Sequence, residues 1–147
     1  MSISRRLAVG FLGVTAGIAA KPAVRSRFVG VWHLVSCERK FKDGRVVFPY
    51  GEKPVGRIAY DKAGRMSALL MRPGRSASAD DGFMAYYGTF DIDVARETVI
   101  HHVQAGFIPS WVGTNLERTY RFEANRLVLT AASKDSATVL TWEREAD

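Results

Sequence analysis

Cysteine is almost missing from this chain. A single Cys37 among 147 residues excludes an internal disulfide framework and any zinc site built on thiolates. By itself it reads as a small apolar side chain. Histidine is scarce as well, with only His33, His101 and His102. The adjacent pair is a poor metal clamp, because neighbouring residues of a strand point to opposite faces; no metal site is expected. The sequence has no Gly-x-Ser-x-Gly elbow, no glycine loop that would cradle a phosphate and no acid pair at a recognisable spacing. Hydrolase and nucleotide-enzyme chemistry are therefore unsupported, and no cofactor is expected. A basic stripe is lacking too. The net charge is +6, but basic residues alternate with acids, as in Glu117-Arg118 and Glu143-Arg144, so nucleic acid is not an expected partner. No internal repeat and no convincing long helix is visible.

What the chain does have is apolar and aromatic content, 47% and 11% of residues, enough for one globular domain with a sizeable core. Its start differs in character from the rest. Ser4-Arg5-Arg6-Leu7 leads into an uncharged run to Ala20 with small residues at Gly17 and Ala19, the three parts of an export signal. The double arginine resembles a twin-arginine signal. The run is too short for a comfortable bilayer span, which needs about 20 residues, so no stable membrane span is expected after processing. The expected organisation is a signal peptide over residues 1–20, a linker over 21–27 marked by Pro22, and a domain over 28–147, placed in the periplasm or secreted. A helical N-terminal extension on a cytoplasmic protein is the alternative.

From Phe28 onward, short alternating or apolar runs are punctuated by turn residues about every ten positions. Strands are expected over 28–39, 45–48, 55–61, 65–72, 83–93, 98–107, 115–122, 126–132 and 137–145. The stretch 73–82 reads as a flexible loop or a short helix beginning near Ser78. Residues 108–114, with Pro109, Trp111 and Gly113, read as a loop or a single helical turn. Eight to nine short strands indicate an all-β fold, antiparallel and single-domain, closed into an up-and-down barrel because closure removes edge strands.

The stretches Gly30-Val31-Trp32, Pro54-Val55-Gly56, Gly64-Arg65-Met66-Ser67-Ala68, Tyr86-Tyr87-Gly88-Thr89-Phe90, Ile100-His101-His102-Val103, Pro109-Ser110-Trp111-Val112-Gly113 and Trp142-Glu143-Arg144 resemble the bacterial and fungal lipocalin-like domain proteins. The similarity runs from Phe28 to about Arg144. It implies a small antiparallel barrel with an internal cavity. By the same resemblance, Gly30 and Trp32 mark the closed end and Arg144 stacks on Trp32 from a late strand, with Arg118 the other possible partner.

Alternation then sorts candidate residues by face. With Trp32 inward, Leu34 and Ser36 should follow it, and His33 should face out. On the strand near Arg118, the set Leu116, Arg118, Tyr120 and Phe122 looks interior. An inward Arg118 needs an acid such as Asp91 or a ligand anion, because an unpaired buried charge is costly. Of the two adjacent histidines, His102 is taken as the inward one. Expected ligand contacts are His102, Arg118, Tyr60, Tyr87, Tyr120, Trp111 and Met66, with Trp111 at a portal. Three functions are weighed. The first is binding of a small hydrophobic or amphipathic ligand by an exported monomer or homodimer. The second is an isomerase or cyclase using His102, Arg118 and Tyr87. The third is a structural or envelope-stress barrel with a filled interior.

Overall fold

Nine strands in one continuous antiparallel sheet make up nearly all of the domain. The structure, a computed structural model, describes residues 16–76 and 82–147. A helix, α1 (Ala16–Phe28), comes first. The strands follow as β1 (Gly30–Phe41), β2 (Val46–Val47), β3 (Val55–Tyr60), β4 (Arg65–Met71), β5 (Phe83–Asp93), β6 (Thr98–Gly106), β7 (Asn115–Glu123), β8 (Arg126–Ala132) and β9 (Ser136–Arg144). A 3-10 turn, Pro109–Trp111, links β6 to β7. Each strand from β3 onward pairs with the next, and β9 returns to β1. Eight strands thus close an all-β, up-and-down barrel, and β2 adds a short extra strand beside the far end of β1. The expected strand runs coincide with these strands to within a residue or two.

The barrel forms because each strand alternates in the register that closure requires. On β5, Met84, Tyr86, Phe90 and Ile92 are buried, while Tyr87 and the two aspartates fall on the opposite parity. On β4, Met66, Ala68 and Leu70 are buried between outward Arg65, Ser67 and Leu69. Gly88 allows β5 and β6 to approach closely, since a Cβ there would collide with the His102 carbonyl.

Two expectations are corrected. Residues 21–27, expected as a linker, lie in α1, and Phe28 closes that helix instead of opening the first strand. Phe28 is completely buried and meets Tyr60, Phe90, Tyr120 and Phe122 at ring separations of 5.3, 6.3, 5.1 and 5.0 Å. Arg25 and Arg27 cover the same aromatic cluster from outside, over Phe90 and Phe122. The helix therefore caps the barrel. The second correction concerns β1. Its pairing with β9 slips between Leu34 and Ser36, a bulge that adds one residue and reverses the parity beyond it. Cys37, not Ser36, is the inward side chain.

The expected signal over residues 1–20 lies mostly outside the described residues, as does the short helix considered near Ser78. Among the described residues no helix is long and apolar enough to cross a membrane.

Candidate ligand site in the barrel lumen

Trp32 and Arg144 define the closed end. The Trp32 ring is buried, and its Nε1 donates 2.9 Å to the Phe28 carbonyl. The Arg144 guanidinium lies 4.0 Å from the ring centre and donates to the carbonyls of Val29 and Arg27. Gly30 makes room for it: a Cβ there would stand 2.5 Å from Arg144 Nη1, at a φ of +137°. This contact joins the first strand, the last strand and the capping helix. His33 faces out, as expected, 3.9 Å from Glu143.

Beyond that end the lumen holds a partly open cavity of about 220 Å3. Its wall is mostly apolar, including Ile58, Leu70, Met84, Leu129 and Leu140, with Cys37 and Tyr86 between them. Arg118 and Trp111 both line it. Trp111 meets Tyr86 edge-on at 5.9 Å.

His101 takes the place expected of His102. It is 1% exposed and held at both ring nitrogens, with the Tyr60 hydroxyl 2.8 Å from Nε2 and the Tyr86 hydroxyl 2.7 Å from Nδ1. Burial, helped by the charge of Arg118, pushes its pKa down to about 3, so the imidazole is neutral near pH 7. The same burial pushes Tyr86 up to about 12, against the pull of Arg118, and Tyr60 also upward. His102 points outward and is 2.7 Å from the Asn115 side-chain oxygen. The sequence held a sign of this. Gln104 shares the parity of His102, whereas Val99 and Val103 share that of His101, and the apolar set belongs inside.

The remaining expected contacts divide. Tyr87 is 56% exposed and lies on the outer wall, beside a hollow of about 930 Å3 that includes Leu69 and Phe107. That hollow is larger than the lumen but open to solvent. Tyr60, Met66 and Tyr120 are inward, with Tyr60 and Tyr120 packed edge-on against Phe28, and none of the three lines the cavity. Tyr60 touches the site only through His101. Asp91, considered as the acid for Arg118, instead pairs outside with Lys21 at 2.8 Å. Arg118 donates to the neighbouring Glu117 carbonyl and forms no ion pair with a carboxylate among the described residues.

Sequence reasoning preferred His102 to His101 and Tyr87 to Tyr86, and gave Trp142 no part in the site. Trp142, 1% exposed, stands on the cavity wall, and its Nε1 has no hydrogen-bond partner among the described residues. The closing Trp142-Glu143-Arg144 had suggested only architecture.

The chain matches the lipocalin-like domain family over residues 29–145. It belongs to that family. The match begins one residue after the Phe28 cap and ends one residue beyond Arg144, so it takes in the whole barrel and leaves the helix outside. No curated protein matches the sequence.

Proposed function

We propose that this lipocalin-like protein is exported and holds a small, mostly apolar molecule in its lumen. The observation that carries the reading is Trp142 Nε1, a buried donor without a partner among the described residues, on the wall of a partly enclosed, mostly apolar cavity. A buried N–H left unpaired costs about 1–3 kcal/mol, and a ligand acceptor would remove that cost. A cavity of this kind argues against the filled structural barrel. The isomerase or cyclase reading is weaker. Efficient acid–base groups have pKa values near the working pH, whereas burial drives His101 and Tyr86 far from it in opposite directions.

One feature supports export. Pro22 lies inside α1, but in a chain starting at Lys21 it would fall in the first turn. There its missing N–H costs nothing.

Native mass spectrometry of protein purified from its own source tests the binding reading, alongside thermal denaturation under saturating toluene. The expected result is a non-covalently bound mass in the wild type and a raised Tm with toluene. Both should be lost in Ala131→Leu, which intrudes on the lumen from β8. No bound mass together with no response to toluene would remove the reading.

A further inference from the structure

Three side chains on the cavity wall have N–H groups to offer and no acceptor of their own. Trp142 Nε1 can only donate. Arg118 contributes a guanidinium whose described bond, to the Glu117 carbonyl, uses one of its five N–H groups. Arg39 adds a second cation toward the open end, its Nε 3.3 Å from Thr138 Oγ1. No aspartate or glutamate is among the described residues that form this wall.

Tyr86 joins the donors by hydrogen-bond accounting. Tyr60 is 3% exposed and lies off the cavity, and its hydroxyl has His101 Nε2 as its described side-chain partner. Its proton must go to Nε2, or it would be buried without an acceptor. A neutral imidazole that accepts at Nε2 carries its hydrogen at Nδ1, so Nδ1–H donates to the Tyr86 oxygen. The Tyr86 proton is then free to turn to the cavity that Tyr86 lines. Tyr60 and His101 are thus positioning residues that set Tyr86 as a donor.

Size restricts the ligand further. An apolar cavity of about 150 Å3 accepts benzene, so 220 Å3 admits one ring and a short head. We propose that the lumen takes a small monocarboxylate of about one ring in size, its carboxylate at Arg118, Trp142 and Tyr86 and its apolar body against Leu70, Met84 and Leu140. This rests on the lumen-binding reading above and adds the sign and size of the ligand to it.

Isothermal titration at pH 7.5 with phenylacetate, toluene and phenethylamine separates the two. Phenylacetate should bind at least tenfold more tightly than either of the others. Trp142→Phe should weaken phenylacetate threefold or more while changing toluene affinity less than twofold. Tyr60→Phe, which leaves the cavity wall intact but frees His101 Nε2, should weaken phenylacetate and spare toluene. Toluene or phenethylamine binding as well as phenylacetate would overturn the carboxylate assignment and leave lumen binding standing. A failure of all three probes to bind at millimolar concentration would overturn both. Should Trp142→Phe fold poorly, Arg118→Gln supplies the same comparison, with the same two readouts.

Discussion

Arg144 lies over the face of Trp32 while its nitrogens reach two backbone carbonyls at the end of α1 and just beyond. One side chain thereby fixes three parts of the chain far apart in sequence. Trp32→Ala should lower stability by about 3–5 kcal/mol, the usual loss for a large buried aromatic. Arg144→Met should cost about 2 kcal/mol through the lost cation–π contact and the stranded carbonyls. Urea denaturation measures both. Phenylacetate affinity extrapolated to the folded fraction should stay within twofold of wild type. A Trp32 variant that kept its stability but lost the probe would place the binding site at the wrong end.

The capping helix predicts an asymmetric response to truncation. A chain beginning at Lys21 keeps the Asp91 ion pairs, the arginine–aromatic contacts and Phe28, and should match the full-length melting temperature closely. A chain beginning at Val29 loses the Phe28 plug and should be less stable by about 3 kcal/mol or more. Equal stability of the two truncations would contradict the role given to Phe28. Sequencing the N-terminus of protein recovered from its native source tests the export proposal directly.

His101 predicts a particular acid sensitivity. Its folded pKa, about 3, lies below the model-peptide value of 6.5. Unfolding therefore takes up a proton at acidic pH, and the stability linked to neutral His101 is complete above about 6.5 and lost as pH falls toward 3. The expected slope from this group is about 1.4 kcal/mol per pH unit. Urea midpoints from pH 7.5 to 4.5 should show it in the wild type. His101→Gln should be less stable at pH 7.5 and have a shallower slope. Parallel slopes would mean that His101 is not buried as described.

Cys37 reports on the bulge in β1. Facing inward, its thiol is pushed up to about 11 by burial, which leaves very little thiolate at pH 7.5. Iodoacetamide should modify it at least about 100-fold more slowly than an unstructured cysteine. Ser36→Cys in a Cys37→Ser background should react several-fold faster. Rapid modification of wild-type Cys37 would mean that β1 alternates without interruption and that Ser36 faces the lumen.

Local patterning carried much of this molecule. Alternation of period two is a property of a few consecutive residues, so the strands, the inward parity of Arg118 and the outward His33 were all visible in sequence. The family resemblance supplied the Trp32–Arg144 contact. The same alternation also contained the right answer for His101 and Tyr86, through Gln104 on one strand and Asp91 and Asp93 on the other. Closure of the barrel decided what alternation could not. The slip between β1 and β9 exists only where two strands more than a hundred residues apart are paired, and it alone turns Cys37 inward. Phe28 reads as strand by type, yet it ends a helix because the barrel end offers four aromatic rings to cover it. Which inward residues meet a cavity and which fill the closed end depends on how the eight strands taper together. For that reason Tyr60, Met66 and Tyr120 lie inward but off the cavity, whereas Trp142, from a motif read as architecture, stands on its wall.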